Sequence, residues 1–594
     1  MELAEKVTRL TADIKACKRN EEGLGDQELT QKLQKLRRQR DKEEYFHGLL
    51  SSKFNLSAVC VRSCIFLHFA HITCVVLHVC CVEKQDKLLF VSLYILLNLA
   101  EEPAVEKKMV KKDLISRLDF MISRRNADLL VITVTMLRKL SIIEENKDTM
   151  RALGVVPKLV RFIPCSSQAL VNNVLRLLFN LSFDKECRGQ MIRAGLLPKL
   201  VKLLATQACF RGRSLKLLYH LSADDTCKSM FSASGGGQGA GAGYNMNRSE
   251  QLRGADEVGG IALVLGMIVN FPQDQLPKEL AALAVNLTYN KTNCQLMIQS
   301  KAVSKMVERY MNAKTKDSLL MKILRNLSLF TFNFQQDQDA AMLDYQFRGL
   351  WSPHIKNLVL ALVDCDNHDV LVEILGTMAN LTLADLPTSQ PWSKFIKEYD
   401  LISLLSKLLI PGMSQNDVIL EVVMLVSAML GEPEACALVV ATNIVQLMLS
   451  MWREKGKHDL EILLQLIYCI YRLLSQESSR DEVLYGNRVV VTYLIEALDH
   501  QNNNVRRAAD QCLELVVELD RKTSSDSGSL SSLIKKKRFE SYNSGWLAAV
   551  STLEQEEDPY GHGMGIGGDM DPYGLDGLDP DADDHDYRHT GESN

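Results

Sequence analysis

The sequence predicts an all-α fold in which short helical repeats stack into a solenoid. Three observations predict it. A five-residue motif returns about every 40 residues, a second motif precedes it in the same order, and 594 residues exceed what one hydrophobic core holds. The composition agrees, because 46% apolar and 24% charged residues with only 14 prolines are typical of a mostly helical protein.

The first motif consists of a bulky residue, any residue, Asn or a substitute, Leu and a small residue. Its copies LLNLA, LRKLS, LFNLS, LYHLS, AVNLT, LRNLS and MANLT place at the Asn position Asn98, Lys139, Asn180, His220, Asn286, Asn326 and Asn380. The steps between them are 41, 41, 40, 66, 40 and 54, and fainter copies follow near Ala428, Arg472 and Glu514. Armadillo and HEAT arrays have such a period, and we expect the Leu of each copy to be buried.

The second motif, Gly followed by two apolar residues and Pro, lies upstream of the first. GVVPKLVRFI begins at Gly154 and GLLPKLVKLL at Gly195, 41 residues apart. Gly favours the left-handed residue that ends a helix, and Pro is tolerated in the first turn of the next helix. Together the two motifs predict an armadillo/HEAT-like right-handed α-solenoid of about ten repeats over residues 91–522.

The longest step contains a low-complexity insertion. Residues 232–260 include SGGGQGAGAG, a composition typical of a flexible linker. Removing about 26 residues restores the period. We therefore interpret this segment as a Gly-rich insertion within the array.

The polar residue of the first motif is the candidate partner-binding position. Asn is a poor helix former between apolar residues, so a local interaction should hold it there. Two interpretations are open: the side chain lines a groove and hydrogen-bonds an extended peptide backbone, or it forms a structural bond between repeats. The candidate groove residues are Asn98, Asn180, His220, Asn286, Asn326 and Asn380.

Two segments precede the repeats. Residues 1–53 form a charged helical segment in this interpretation, and residues 54–90 an atypical apolar segment. Within the latter, residues 63–82 lack Asp, Glu, Lys and Arg and are long enough to cross a bilayer. Three interpretations are open for these residues. They could form a transmembrane helix, they could form a Cys/His metal site, or they could be a buried helix pair or a stretch of atypical sequence ahead of the repeats. We favour the last, because histidines suit lipid poorly and the cysteines lack C-x-x-C pairs.

Two further segments follow the repeats. Residues 523–553 are predicted to be a linker and a C-terminal helix, which Trp546 is expected to pack onto the final repeat. We interpret the basic run at 535–538 as a solvated helix start rather than a nuclear signal or phosphate contact. Residues 554–594 hold thirteen Asp and Glu against one Arg and predict a disordered acidic tail. The tail's charge of −12, set against −4 for the whole chain, leaves +8 on the preceding part.

Catalytic and cofactor-binding motifs are missing from the sequence. It contains no G-x-x-x-x-G-K-[ST], no H-E-x-x-H and no G-x-S-x-G. We therefore expect no enzyme activity, no cofactor, no small-molecule substrate and no nucleic-acid partner. The fifteen cysteines show no framework spacing and predict reduced thiols in a cytoplasmic protein.

Longer runs of sequence go beyond the generic repeat. MLRKLSIIEENKDTM, LRLLFNLSFDKECRGQMIRAGLLPKLV, LLYHLSADDTCKSMF, LLMKILRNLSLF, LGTMANLTLADL and KKKRFESYNSGWLAAV occur in this order. The last contains Phe539, Asn543 and Trp546, a candidate C-terminal motif that is not an armadillo feature. In these runs, over residues 91–550, the chain resembles the kinesin-associated proteins, the non-motor armadillo subunits of heterotrimeric kinesin-2. The apolar block at 56–82 departs from that resemblance.

The resemblance implies a non-catalytic adaptor. It would bind the C-terminal tails of the two kinesin-2 motor subunits and link them to cargo such as intraflagellar-transport particles, leaving ATP hydrolysis to the motor heads. Its implied location is the cytoplasm, the cytoskeleton, the cilium or flagellum and the basal body. The alternatives are a general armadillo scaffold in signalling or cell junctions and, if residues 63–82 span a bilayer, a membrane-anchored scaffold. A nuclear import adaptor is disfavoured, because no Trp closely precedes a motif Asn.

Overall fold

The structure is a computed structural model that describes residues 86–100, 113–233, 259–336, 349–382, 385–386, 391–456, 458–486, 489–523 and 529–556. Within these ranges every regular element is a helix. The segment 1–53, the apolar run 63–82, most of the Gly-rich insertion and the tail from 557 lie outside them. The chain divides into two compact units, Met1–Arg472 and Leu473–Asn594.

Most repeats of the first unit contain three helices. The unit opens with α1 (Asp86–Leu99), α2 (Leu114–Met121) and α3 (Ala127–Leu140). The helices that follow are α4 (Glu144–Ala152), α5 (Val155–Val160), α6 (Gln168–Leu181), α7 (Lys185–Arg193), α8 (Leu196–Thr206), α9 (Arg211–Leu221), α10 (Asp225–Ala233), α11 (Gly260–Val269), α12 (Lys278–Leu287), α13 (Lys291–Gln299), α14 (Ala302–Asn312), α15 (Ser318–Gln336), α16 (Ile355–Val363), α17 (His368–Ala379), α18 (Trp392–Tyr399), α19 (Leu401–Leu408), α20 (Asn416–Met429), α21 (Pro433–Val440), α22 (Ile444–Lys455) and α23 (Leu460–Ser475).

A left-handed residue joins the first and second helices of several repeats. Gly154 and Gly195 have φ of 64° and 71°, immediately before α5 and α8, and each of these helices has Pro in its first turn. The second motif is thereby confirmed as a helix–helix junction. Three other repeats use a non-glycine residue with positive φ at the same place: Asp113, Lys301 and Asp400. These residues accept some backbone strain, which Gly would avoid.

The third helices of successive repeats pack against one another. Contacts run in order through α1, α3, α6, α9, α12, α15, α17 and α20, which we call the third-helix row. The Leu after each motif Asn is buried, as predicted: Leu99, Leu140, Leu181, Leu221, Leu287, Leu327 and Leu381. Because each repeat leaves apolar surface that only its neighbour covers, this row holds the stack together.

The second unit contains helices of different lengths that pack around a core of their own. After α24 (Glu477–Asp481) come α25 (Val489–Ala497), α26 (Asn503–Thr523), α27 (Ser529–Tyr542) and α28 (Ser544–Glu556). Helix α27 packs on both α25 and α26, with Ile534 fully buried, whereas α28 has its main contacts with α27. The C-terminal helix of the sequence prediction is therefore a pair of helices.

Membrane-span criteria of length and hydropathy are not met by any single helix among the described residues. One pair, Pro433–Val440 with Ile444–Lys455, passes them together but is bent by 73° at its break.

Candidate functional site

The motif Asn side chains form a hydrogen-bond ladder along the third-helix row. Asn180 Nδ2 donates to Ser141 Oγ at 2.9 Å, and Asn286 Nδ2 donates to Ser222 Oγ at 2.9 Å. Asn326 Nδ2 donates to Thr288 Oγ1 at 2.7 Å, and Asn380 Nδ2 to Ser328 Oγ at 3.0 Å. Each bond joins the Asn of one motif copy to the small residue of the preceding copy. The bond between Asn286 and Ser222 continues the ladder across the Gly-rich insertion.

The hydroxyl groups of the ladder accept because their own protons are already used. Ser141, Ser182, Ser222, Thr288 and Ser328 each donate to the backbone carbonyl three residues earlier, at 2.6–2.8 Å. The incoming side chain must therefore supply a donor, which an amide does and a carboxylate cannot.

His220 takes the place of Asn in one copy. Its Nδ1 lies 2.8 Å from Ser182 Oγ. Since that hydroxyl donates to Phe179 O, the geometry assigns the ring proton to Nδ1. Burial, reinforced by the nearby charge of Arg188, lowers the pKa of His220, so the ring is held neutral. The imidazole thus reproduces the donor function of the amide.

The remaining groove candidate, Asn98, is exposed, and its amide donates to Tyr94 O within its own helix at 2.9 Å. Asn380, by contrast, is buried. Of the six candidates, the five from Asn180 to Asn380 therefore make the structural bond between repeats. Asn180, Asn286 and Asn326 are half-buried, and within the described residues no hydrogen bond reaches their Oδ1 atoms.

A row of exposed apolar side chains lies beside the ladder. The residue directly after each Ser or Thr of the motif is large and apolar in four copies: Ile142 is 74% exposed, Phe183 62%, Tyr289 65% and Leu329 45%. We call these four residues the apolar row. This row was not predicted, although the large apolar residues that follow LS or LT in these copies are a visible sequence signal. Apolar groups repeated along a solvent-facing edge mark a contact surface.

An aromatic cluster strengthens this row at α6 and α9. The His220 ring lies 4.7 Å from the Phe179 ring and 4.6 Å from the Phe183 ring, measured between centroids. Phe179 and Phe183 themselves meet edge to face at 5.4 Å, and Tyr219 adjoins at 5.6 Å from His220. Partly exposed aromatic clusters of this kind are typical anchor points for partner side chains.

Positive charge accompanies the first half of the third-helix row. Arg138 Nη1 donates to Asn173 Oδ1 at 3.0 Å. Burial and the neighbouring Arg176 lower the pKa of Arg138 to about 10. No carboxylate lies within ion-pair distance of Arg138 in the described part of the chain. A carboxylate from a partner placed here would relieve the repulsion between the two arginines.

In the second half of the row, charges are neutralised internally. Lys322 Nζ lies 3.0 Å from Glu373 Oε1, and Arg325 contacts both Glu373 and Glu421. Arg325 thereby crosses from α15 over α17 to α20, and it passes Gly376, where a side chain would collide with it. Burial raises the pKa of Glu421, while Arg325 opposes that shift. The ion pairs of this region therefore stabilise the stacking of α15, α17 and α20 rather than offer a charge to a partner.

The candidate C-terminal motif lies in the second unit. Phe539 and Trp546 are 51% and 60% exposed, and Asn543 Nδ2 donates to Phe539 O at 2.9 Å. The expectation that Trp546 packs its helix onto the final repeat is wrong. Ile534 and an ion pair between Arg538 Nε and Asp510 Oδ1 at 2.6 Å attach α27 instead, which leaves the aromatic side chains facing solvent.

Groups suited to metal binding or nucleophilic chemistry are not assembled in the described residues. No group of three or more His, Cys, Asp or Glu side chains there is placed so that it could hold a metal ion. The cysteines of these ranges are free thiols, and burial raises the pKa of Cys187, Cys227 and Cys294 to about 12. The Cys/His metal site that was one of the interpretations of residues 63–82 lies outside the described residues.

Comparison with known proteins identifies one matching family. A family model described as kinesin-associated protein matches residues 20–238 and 244–573. The break between these ranges falls within the Gly-rich insertion. The first range includes the block at 56–82, so the expectation that this block departs from the family is not supported.

Individual relatives are distant. A probable inactive serine/threonine-protein kinase of Dictyostelium discoideum is 19% identical in an alignment 413 residues long. The alignment covers 63% of this chain and 20% of that protein, so the chain spans about a fifth of it. An engineered protein of known structure covers 75% of this chain and 98% of its own at 16% identity and a TM-score of 0.55. A structure from work on a phosphorylation switch between cadherin and beta-catenin covers 75% and 86% at 15% identity and a TM-score of 0.51. These likenesses show an armadillo-type, all-α solenoid fold.

Proposed function

Because the chain belongs to the kinesin-associated protein family, we propose that it is the non-catalytic adaptor of heterotrimeric kinesin-2. In this role it binds the C-terminal tails of the two motor subunits and leaves ATP hydrolysis to their heads. The observation that carries the proposal is the apolar row beside the ladder of α3–α15. Its side chains follow four of the five motif copies between Ser141 and Ser328, a spacing that suits an extended segment crossing several repeats.

The distribution of charge along the third-helix row supports a position for the tails. The first half of the third-helix row contains Arg138 and Arg176, and no carboxylate of the described residues lies within ion-pair distance of Arg138. The aromatic cluster lies in the adjacent repeats. The second half has its charges paired within the fold. We therefore place the motor tails along α3, α6, α9 and α12, with apolar anchors on the aromatic cluster and acidic groups near Arg138.

The ladder asparagines contribute a second set of contacts in this proposal. Their Nδ2 donors are used between repeats, but the Oδ1 acceptors of Asn180, Asn286 and Asn326 have no partner in the described residues. A backbone N–H of an extended tail would donate to them. Thus the two interpretations of these residues are compatible, because one half of each amide stabilises the stack and the other half faces the partner.

Co-purification with the two kinesin-2 motor chains tests the proposal. The full-length chain is expressed with both motor chains and compared with a Phe183→Ser, Tyr289→Ser variant, whose side chains are removed from the apolar row. We expect the wild type to form a 1:1:1 complex, and the variant to bind at least about tenfold more weakly, because truncating exposed aromatic anchors costs on the order of 1–2 kcal/mol each.

Met413→Ser is the matched control, because Met413 is 70% exposed and lies outside the third-helix row. Thermal melting of all three proteins checks that binding, and not folding, has changed. If the wild type does not bind the motor chains, the adaptor proposal is wrong. Recovery of a junctional or signalling protein instead would support the general scaffold.

We also propose that the adaptor links kinesin-2 to intraflagellar-transport particles and acts in the cilium or flagellum and at the basal body. The support is the family assignment alone. Imaging of the fluorescent full-length chain in ciliated cells tests it: the wild type should move along the axoneme together with the particles. The Phe183→Ser, Tyr289→Ser variant should remain in the cell body. Uniform cytoplasmic fluorescence of the wild type would contradict this part of the proposal.

A further inference from the structure

Two third helices of the first unit share an apolar face beyond the end of the ladder. Asn380 is the last Asn of the motif, and α20 and α23 follow it. Leu420 and Met424 of α20 recur 44 positions later as Leu464 and Tyr468 of α23, so the two helices have the same register. Tyr468 is 47% exposed, and the other three side chains are half-buried. We call these four residues the α20–α23 face.

The part of this face on α23 lies on one side of a single unbroken helix, Leu460–Ser475. Leu464 and Tyr468 are four residues apart, a spacing that places both side chains on the same side. Most of the remaining helix surface is buried, and from it Cys469 Sγ donates to Val423 O of α20 at 3.4 Å. This packing fixes which side of α23 faces solvent, so the face is preformed and loses little entropy on binding.

Three carboxylates border the face, one in the first turn of each of three successive third helices. They are Asp369 of α17, Asp417 of α20 and Glu461 of α23. The side chains of Asp369 and Asp417 are 85% and 52% exposed, and Glu461 is exposed. Within the described residues, the imidazole of His368 is the one basic group at ion-pair distance from them, 3.8 Å from Asp369 and 3.5 Å from Asp417. We call the three carboxylates the acidic edge.

The starts of these three helices lie side by side. His368 of α17 reaches Asp417 of α20, and Asn416 Nδ2 donates at 3.2 Å to Asp459 Oδ2, directly before α23. Asp459 is itself engaged in the fold, because its Oδ1 also accepts from Ile462 N at 3.2 Å. The acidic edge is therefore continuous from α17 to α23 and runs beside the α20–α23 face.

The internal ion pairs of this part of the row do not neutralise the acidic edge. Lys322 and Arg325 pair with Glu373 and Glu421, which lie one turn further along α17 and α20. Two cations and two carboxylates balance, so this network adds no net charge. The acidic edge keeps its negative charge, because only an imidazole faces it in the described part of the chain.

The chemistry of the surface indicates a basic occupant. Lys or Arg side chains would meet carboxylates at the acidic edge, and a cation also binds favourably against the exposed ring of Tyr468. Their apolar stems would cover Leu464 and Met424. Nucleic acids and anionic lipid surfaces would be repelled by the same carboxylates. Arg472 is half-buried on the same side of α23, about 16 Å along the helix from Glu461, so this positive charge is confined to the other end.

The spacing of the helices suits an extended segment. Neighbouring helices pack about 8–10 Å apart, and an extended chain advances about 3.3 Å per residue. About three residues of such a segment therefore lead from α20 to α23. A basic residue at every third position would meet the first turns of successive helices, with apolar residues between them on the α20–α23 face.

We propose that the α20–α23 face and the acidic edge bind an extended basic segment of a partner protein, with Lys or Arg near Asp417 and Glu461 and an apolar residue on Tyr468. The surface is separate from the apolar row of α3–α15, and its charge is opposite to that around Arg138. A charged segment that suits one surface is therefore repelled by the other. The chain would thus hold two different partners along its third helices.

Fluorescence anisotropy of labelled peptides on the full-length chain tests this proposal. The probe is a fluorescein-labelled peptide of about twelve residues, long enough to cross α17, α20 and α23, with Lys at every third position, Leu between them and Gly or Ser elsewhere. A second peptide has Glu in place of each Lys. We expect the Lys peptide to bind and the Glu peptide to bind about tenfold more weakly, with a difference that decreases as salt is added.

Substitutions at the acidic edge should change the binding of the Lys peptide. Asp417→Asn with Glu461→Gln removes two charges and should weaken it about fivefold or more. Glu145→Gln with Glu434→Gln is the matched control and should not weaken it, because these exposed carboxylates lie in the first turns of α4 and α21, which are first helices of their repeats. Asp417→Lys with Glu461→Lys should reverse the preference between the two peptides.

Tyr468→Ser tests the apolar contact and should weaken binding of the Lys peptide about fivefold or more. Phe120→Ser is its control, because Phe120 is 69% exposed but lies on α2, a second helix. This substitution should leave the affinity unchanged. All substituted side chains are exposed, and thermal melting of each variant verifies that the fold is retained.

Three results would overturn the proposal. The Lys peptide does not bind; the control substitutions at Glu145 and Glu434 weaken its binding as much as those at Asp417 and Glu461, which would mean a general attraction to negative charge; or the Glu peptide binds as well as the Lys peptide, which would make the occupant apolar rather than basic. No motor chain is present, so none of these results bears on the motor-tail proposal.

Discussion

Asn326 Nδ2 donates a hydrogen bond of 2.7 Å to Thr288 Oγ1, a residue 38 positions earlier in the chain. Thr288 Oγ1 in turn donates to Val285 O at 2.6 Å, so its oxygen is committed as an acceptor. The same two-bond unit recurs in the neighbouring copies of the motif. The polar residue therefore sets the position of each third helix on the one before it.

Asn326→Asp tests this direction of donation. The carboxylate would face the lone pairs of Thr288 Oγ1 without a proton between them, and this buried acceptor would lose its donor. We expect a loss of about 1–3 kcal/mol in the free energy of unfolding, measured by urea denaturation at neutral pH.

Asn98→Asp is the control for that measurement. Asn98 occupies the same motif position, but it is exposed and its amide bonds to Tyr94 O of its own helix. Its substitution should change stability by about 0.5 kcal/mol or less. Equal losses at both positions would contradict a stabilising ladder.

Gly376→Ala is expected to destabilise the stack although Ala is the better helix former. A methyl group at this position would meet the Arg325 Cζ at 2.6 Å and Glu421 Oε2 at 2.9 Å. Displacing Arg325 would leave the buried Glu421 without its counter-ion and Glu373 with Lys322 alone, at a cost of about 3–5 kcal/mol, against a helical gain of about 1 kcal/mol. We expect a net loss of about 2–4 kcal/mol in urea denaturation.

Gly266→Ala provides the matched comparison. Gly266 lies inside helix α11, and nothing stands within 4 Å of an added Cβ. This substitution should stabilise the protein by up to about 1 kcal/mol. If Gly376→Ala behaved in the same way, Arg325 would not be fixed by its two carboxylates.

The fold could be predicted from the sequence because its signals are local and repeated. The period, the buried Leu and the Gly–Pro junctions each depend on residues within one repeat. The ladder was half predicted: a reason for Asn180 in a helix was expected, but its partner Ser141 follows only from the distance between stacked helices. The contact of Arg325 with Glu421, 96 residues away, depends on how three helices pack together. No sequence motif predicts it.

Trp546 shows the opposite case. A large aromatic residue after the last repeat suggested burial, because burial of Trp is usually favourable. The face of α27 that packs is instead chosen by Ile534, Arg538 and Ser541, and these residues were not recognised as an anchoring set.

Thiol accessibility gives a prediction about the repeat core. Cys209 is exposed, whereas Cys187, Cys227 and Cys294 are buried and have pKa values raised to about 12 by that burial. Since the thiolate is the reactive form, iodoacetamide should modify Cys209 on the order of a hundredfold faster than the other three in the native protein. Mass spectrometry of the digested protein measures each site, and labelling in urea should make the rates similar. Native labelling of Cys227 at the rate of Cys209 would show that its repeat opens.

His220→Asn tests the effect of having His at one position of the ladder. The pKa of His220 is lowered from 6.5 by burial first and by Arg188 second, so the folded state binds this proton less readily than the unfolded state. The stability that the neutral ring contributes is therefore present above pH 6.5 and is lost as the pH falls toward the lowered value. Asn restores the amide donor to Ser182 Oγ and does not titrate.

Urea denaturation of both proteins about one pH unit above and one unit below 6.5 measures the difference. Near the upper pH the two should be similar, with a small loss in the variant because Phe179 and Phe183 lose their contacts with the imidazole ring. At the lower pH the variant should become the more stable protein relative to wild type, and other histidines such as His354 cancel because both proteins carry them. A difference that stays constant with pH would mean that His220 is not held neutral by its surroundings.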